Sequence, residues 1–354
     1  MSSAVVLHVG PPKTGTTRVQ HVLVHNRDSL LAQGVRVIGS QLLLRDAASD
    51  VKGVNRLSGE PTPEGSFERL LARVTQHPDK VVMSCERFSL LNAAQARTVS
   101  DAFGDRGLEV VLTLRDPVDL LPSRWQEAVK NGQVADWSTF CHSAASSPEF
   151  LERMLRTRST LESWTEALGP DRVHVVTMAT SGSQDLLIDR FCEAAGLDPS
   201  WLSKREVPAN RSVGWQGAEV IRRVNETGAL PWRVRNSEVK GFLSEHLRQH
   251  SAASPVPTPE LHEVARTYGQ EVIDRLLEGG HLLVGDVADL SRRRAPEPTQ
   301  PPSLDTTELL DLAVDALAAY LSRAEQATRE LRIERRRSAT PPPRRGLLRR
   351  TPNR

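Results

Sequence analysis

Between an apolar stretch, Ala4–Val9, and a helical pattern opening at Thr16 lies the run Gly10-Pro11-Pro12-Lys13-Thr14-Gly15-Thr16-Thr17. These residue types suit capture of an anion. Glycine allows close backbone approach, a helix start offers N–H groups that have no intrahelical acceptor, and Lys13 adds a full charge. Gly10 and Gly15 keep the G-x-x-x-x-G spacing of a nucleotide phosphate loop, but Thr16 stands where such a loop carries lysine. The lysine is displaced to Lys13, so its cation reaches a different ligand atom. The plain alternative is a strand-to-helix turn capped by threonine.

Three further groups could complete such a site. The apolar run Leu108–Leu114 leads into Arg115-Asp116-Pro117, and Ser123 follows eight positions after Arg115 on the next helical pattern. A guanidinium grips phosphate through two N–H groups and a hydroxyl adds a donor. Downstream, Pro208-Ala209-Asn210-Arg211-Ser212 is a polar, basic loop that also reads as a solvated turn. The strand-like Lys80–Ser84 ends in Cys85-Glu86, where a carboxylate can serve as general base at the carboxyl end of a sheet. Arg87 is a neighbouring cation able to tune it. His8, two residues before the loop, competes for the same role, although a strand histidine is more often a satisfied core residue. His21 and His25 should turn away from the loop, and Cys85 reads as core packing.

Pro12 to Thr17 reads Pro-Lys-Thr-Gly-Thr-Thr. It resembles the 5′-phosphosulfate loop, Pro-Lys-x-Gly-Thr-Thr, of sulfotransferases that use 3′-phosphoadenosine 5′-phosphosulfate (PAPS), in a bacterial-type, P-loop-like member of that family. Arg115 and Ser123 match the family's 3′-phosphate arginine and serine in type, spacing and strand-to-helix context. The resemblance covers residues 4 to about 290, with only these two elements specific. It implies PAPS as co-substrate, its desulfated form (PAP) as product, no metal, and direct in-line transfer of a sulfuryl group to a hydroxyl or amine of a saccharide, glycolipid or small natural product. It assigns Lys13 to the departing bridging oxygen, and Pro12, Thr14, Gly15, Thr16 and Thr17 to the phosphosulfate loop. Asn210, Arg211 and Ser212 would close over the 3′-phosphate and adenine. Cytosolic members place a catalytic histidine in the segment holding Glu86, whereas several glycan and tyrosine sulfotransferases use glutamate, which favours Glu86 over His8. Arg87, Trp125, Gln126 and His142 are the candidate acceptor contacts, with Arg124, Lys130, Trp137 and Phe140 nearby. Trp125 and Trp137 fit equally well as helix anchors. Two other readings stay open: a P-loop nucleotide kinase, and a non-catalytic nucleotide-binding protein tethered by a basic tail.

These residues need a scaffold. Short β-branched runs, Ala4–Val9, Val35–Ile38, Lys80–Ser84, Leu108–Leu114 and Val173–Thr177, alternate with helical patterns at about Thr16–Ala32, Ser66–Gln76, Ala93–Phe103, Val118–Lys130, Pro148–Leu168 and Gln184–Ala195. Such alternation predicts an α/β fold: a three-layer, doubly wound, mostly parallel sheet, with additional C-terminal helices. The organisation predicted is a catalytic domain over 1–290, a Pro-rich linker over 291–304, a helix over 305–337 and a basic disordered tail over 338–354.

With 46 basic and 44 acidic residues the chain is nearly neutral, which gives no sign of a nucleic-acid binder. The balance is uneven: residues 331–354 hold nine Arg and one Glu, so the remainder is mildly acidic. Three cysteines with no C-x-x-C spacing exclude a disulfide scaffold and a zinc ribbon. No signal peptide or membrane-spanning stretch is legible, and a cytoplasmic protein is expected. The basic tail suggests weak contact with an anionic surface, and the C-terminal helix suggests a homo-oligomer.

Overall fold

Strand β1, Val5–Val9, is buried along its whole length, as are most positions of β3 (Lys80–Ser84), β4 (Leu108–Leu114) and β5 (Val173–Thr177). Strands apolar on both faces can be satisfied only between two layers of helices. The computed structural model, which describes residues 5–56, 59–179, 185–203, 212–228, 230–249, 254–291 and 305–339, has this arrangement. Six strands pair in the order β2-β3-β1-β4-β5-β6, with β2 at Val35–Ile38 and β6 at Leu283–Val284. Every pairing is parallel. The sheet is therefore wholly parallel, beyond the mostly parallel sheet predicted.

The helices that matter below are α1 (Thr16–His25), α2 (Gln41–Lys52), α3 (Ala93–Ala102), α4 (Pro117–Lys130), α5 (Trp137–Ser146), α6 (Thr157–Leu168), α7 (Asp185–Ala195), α8 (Gly214–Glu226), α9 (Pro259–Gly279) and α10 (Thr306–Ala339). Val6 on one face of β1 packs in a cluster with Val19 and Val22 of α1 and Phe191 of α7. Leu7, on the opposite face, belongs to the larger core that holds Leu44 of α2, Val99 of α3, Leu121 of α4 and Trp164 of α6. From β1 the chain passes to the edge strand β2, returns to insert β3 between them, then crosses β1 to add β4, β5 and β6 on the other side. The order reverses between β1 and β4, and the crevice at their carboxyl ends is where open α/β sheets bind ligands. The two motif-bearing loops, after Val9 and after Leu114, both open there.

Several boundaries differ from the sequence reading. The helical pattern Thr16–Ala32 breaks at Asn26 (φ −106°), whose amide Nδ2 donates to the Val22 carbonyl. The pattern Pro148–Leu168 breaks at Arg156, which takes a left-handed φ of 57°. Helix α2, capped by the Ser40 hydroxyl, and the two-residue β6 were not anticipated. Most of the proposed linker and the basic tail lie outside the described residues. Beyond them α10 lays one face on the body: Leu309 and Ala316 are buried, Asp315 pairs with His246 (2.7 Å) and Arg323 with Glu238 (2.9 Å). Among the described residues, no helix is long and apolar enough to cross a membrane.

Candidate anion-binding and catalytic site

The loop after β1 is tightly wound, and its glycines are required. A Cβ at Gly10 would come within 2.3 Å of Thr113 Oγ1 on β4 and 2.5 Å of Thr14 Oγ1. Gly15 caps α1 at φ 84°, and a Cβ there would meet Leu187 at 2.4 Å. Lys13 also takes a positive φ, 77°, one of two non-glycine residues to do so among those described. A β-carbon in this region costs roughly 1–2 kcal/mol, a strain that structures retain mainly at functional turns. Positive φ at 13 and 15, on either side of Thr14, is the kind of alternation from which anion-binding concavities of backbone N–H groups are built. No side chain caps α1 among the described residues, so Thr16 and Thr17 open the helix with its N–H groups toward the crevice. Thr17 is exposed and Pro12 partly so. Thr14 is different: its hydroxyl donates to the Pro11 carbonyl (2.8 Å) and lies 3.0 Å from Thr113 Oγ1, beneath the loop. The N–H of Thr14 donates to the same Pro11 carbonyl (3.3 Å), so both of its polar donors brace the loop from within.

His8 completes this substructure. Its Nδ1 is 2.7 Å from Ser84 Oγ on β3 and its Nε2 is 3.2 Å from Thr113 Oγ1 on β4. The ring has no exposed surface and packs edge-on to Phe191 at 5.2 Å. Burial pushes its pKa down to about 3. A neutral imidazole that ties three strands to the underside of the loop is a positioning residue. The candidacy of His8 as base is corrected accordingly: its ring is fully enclosed and both nitrogens are engaged. Because the folded pKa lies below the ordinary 6.5, the neutral ring contributes stability above pH 6.5 that is lost as pH falls toward 3. Urea unfolding should show the wild type losing up to ~1.4 kcal/mol more per pH unit across that window than His8→Gln. Parallel losses in the two proteins would mean that His8 titrates normally.

Cys85 N–H donates to the His8 carbonyl (3.1 Å), extending the β1–β3 pairing by one residue, and the chain then turns into a 3-10 segment, Glu86–Leu90. That turn carries Glu86 to the loop, where its Oε2 accepts from Thr16 Oγ1 (3.3 Å). Arg87 points the other way, donating to Ser49 on α2. Cys85 is buried and its thiol is pushed up to about 11 by desolvation, so it is packing.

From the far side, β4 delivers Arg115, whose Nη1 donates to the Lys13 carbonyl (3.4 Å). Asp116 caps α4 through the N–H groups of Val118 (2.7 Å) and Asp119 (3.4 Å), with Pro117 at the first helical position. Ser123 is partly exposed two turns along α4. One turn further sits a residue that the sequence reading missed. Glu127 receives Lys13 Nζ at 2.9 Å and Lys130 Nζ at 2.8 Å. Burial would raise its pKa, but the two ammonium groups overrule it and hold the carboxylate well below its usual range. Burial together with the Lys13 charge lowers Lys130. Arg124, mostly buried, is lowered by desolvation and drawn back by Glu127 and Glu86. Carboxylates and cations thus interleave around Lys13. The available signal was an acid and a lysine three apart on the helix that follows the arginine strand.

The acceptor contacts divide. Trp125 is corrected to a core residue: it is 1% exposed, its indole N–H donates to Ala135 O (3.1 Å), and its ring lies 5.6 Å from Trp137 and 5.7 Å from Trp215. Trp137 and Phe140 are buried in the same aromatic cluster. Gln126 is buried and accepts from Ser212 Oγ, which also accepts the Gly214 N–H (3.1 Å), so this pair fastens the start of α8 to α4. His142 is exposed on α5. Asn210 and Arg211 lie outside the described residues. His21 and His25 stack on α1 with centroids 3.8 Å apart. Among the described residues, no group of three or more His, Cys, Asp or Glu side chains could hold a metal.

Together these features define a three-layer α/β protein with a tight, glycine-dependent strand-to-helix loop, the candidate anion site, at the switch point of its sheet. No family model matches the chain, and no curated protein matches it in sequence. Among solved structures it is similar to the mouse sulfotransferase SULT7A1 complexed with PAP, with 11% identity, a TM-score of 0.39, and coverage of 79% of this chain and 88% of that chain.

Proposed function

We propose that the chain is a PAPS-dependent sulfotransferase, moving a sulfuryl group directly to a hydroxyl or amine of a saccharide, glycolipid or small natural product. One observation carries the reading: the Arg115 guanidinium donates to the backbone carbonyl of Lys13 at 3.4 Å, which brings two motifs 102 positions apart together at the switch-point crevice. This is the juxtaposition a nucleotide with phosphates at both its 3′ and 5′ positions requires. Arg115 and Ser123 take the 3′-phosphate, while Gly15, Thr16 and Thr17 take the 5′-phosphate through N–H and hydroxyl donors. Lys13 lies at the bridging oxygen, where charge builds as the sulfuryl group departs, so its ammonium acts selectively on the transition state. Glu86, beside Thr16, accepts the proton of the attacking hydroxyl or amine.

The test is thermal unfolding with adenosine 3′,5′-bisphosphate in the absence of magnesium. A hundredfold excess over Kd should stabilise the protein by ~2.7 kcal/mol. Arg115→Ala should weaken binding by about 10- to 100-fold, the worth of a charged phosphate contact. Stabilisation by ATP with magnesium and none by the bisphosphate would replace this reading with a nucleotide kinase. An unchanged affinity in Arg115→Ala would remove the 3′-phosphate assignment.

A further inference from the structure

The face of α10 turned away from the body carries its own pattern. Leu310, Val314, Leu317, Leu321, Ala324, Thr328 and Leu331 recur at alternating spacings of four and three, the seam of a two-stranded coiled coil. Its five large members are 56–61% exposed: Leu310 61%, Val314 57%, Leu317 56%, Leu321 59% and Leu331 57%. The stripe is distinct from the one docked on the body, which uses Leu309 and Ala316 together with Asp315, Tyr320 and Arg323. Among the described residues, no hydrogen bond or ion pair to the body follows Arg323, and α10 runs on to Ala339, about 24 Å further at 1.5 Å per residue. An exposed helical extension of this length is marginal unless its apolar stripe is covered.

Charge identifies what covers it. Residues 305–315 carry Asp305, Glu308, Asp311 and Asp315 and no base, whereas residues 323–337 carry six Arg against three Glu. The two ends of the same helix are complementary. We propose that α10 pairs antiparallel with α10 of a second copy of this chain. In the register that seats Leu321 against Ala324 of the second copy, Leu317 meets Thr328 and Val314 meets Leu331. Asp311 then flanks Arg332 of the second copy, twice by symmetry, and both side chains are exposed. A parallel pair would set acidic end beside acidic end and basic beside basic, and would stack Ala324 on Ala324 and Thr328 on Thr328.

Sedimentation of the full chain tests this pairing. The wild type should sediment as a dimer at micromolar concentration and Leu317→Glu/Leu321→Glu as a monomer that keeps the cooperative melting transition of the sheet-containing body while losing helix signal from the uncovered end of α10. Asp311→Arg or Arg332→Asp alone should weaken the dimer at least tenfold, and the two together in one chain should restore it. Orientation is read by oxidation: a mixture of Leu317→Cys and Thr328→Cys chains should cross-link, and neither should alone, the native cysteines being buried. A monomeric wild type, a dimer that survives the double glutamate variant, or cross-linking within each single-cysteine protein would overturn the proposal.

Discussion

Lys13→Ala is expected to lower turnover about 100- to 1,000-fold, the typical cost of removing one preorganised donor to a developing oxyanion, while affinity for adenosine 3′,5′-bisphosphate changes by less than about threefold. The asymmetry follows from where the charge appears. In sulfuryl transfer the bond to the leaving phosphate loosens early, so negative charge on the bridging oxygen is larger in the transition state than in the bound nucleotide. The bisphosphate has no sulfuryl group to lose, and under the proposed function its phosphates rest on Arg115, Ser123 and the N–H groups of the loop. Lys13 is held ready for this work by its left-handed backbone and by Glu127, which keeps the ammonium at 2.9 Å. Glu127→Gln separates the two functions of that ion pair. It should tighten bisphosphate binding several-fold, because Lys13 and Lys130 lose their internal counterion, with turnover retained within about tenfold. Equal losses of binding and turnover in Lys13→Ala would make Lys13 a ground-state phosphate ligand. Full turnover would remove it from the chemistry.

Much of the scaffold was legible because parallel strands announce themselves. Val35–Ile38, Lys80–Ser84, Leu108–Leu114 and Val173–Thr177 were readable to the residue, since apolar β-branched runs bounded by polar segments have few other uses. Arg115 and Lys13 were legible for a related reason. Arg115 directly follows β4 and Lys13 lies in the short loop four residues after β1, and a strand end has only one place in the sheet. Residues on helices were harder to place, because their orientation depends on how the helix rolls against its neighbours. Trp125, Gln126 and Glu127 are consecutive on α4, yet the first two are buried and only the third reaches Lys13. Composition could not order them. The helix break at Arg156 was hidden for another reason: arginine rarely adopts positive φ, so no residue type marked the turn. His8 shows the limit for titratable groups. Its chemistry suits a base, but its neighbours across the sheet, Ser84 and Thr113, lie 76 and 105 positions away and consume both nitrogens.

Glu86→Gln should reduce turnover by about 100- to 10,000-fold, the range for loss of a positioned general base, with bisphosphate affinity and melting temperature close to wild type. The substitution keeps the shape of the side chain and its contact with Thr16, so it removes the ability to accept a proton and little else. Two companions separate this role from a structural one. Thr16→Val removes the 3.3 Å hydrogen bond to Glu86 but leaves the carboxylate in place, and should retain most of the acid–base function. Glu86→Asp withdraws the carboxylate by one methylene and should recover part of what glutamine loses, with the acidic limb of the pH–rate profile still present; in Glu86→Gln that limb should disappear. A structural role predicts the opposite ordering, with Glu86→Gln mild, Thr16→Val comparably harmful and the acidic limb intact in both. His8 is not a substitute base under either outcome, since its ring is enclosed and neutral across the working range. Retention of both turnover and the acidic limb in Glu86→Gln would therefore place the proton acceptor outside the residues that surround Lys13.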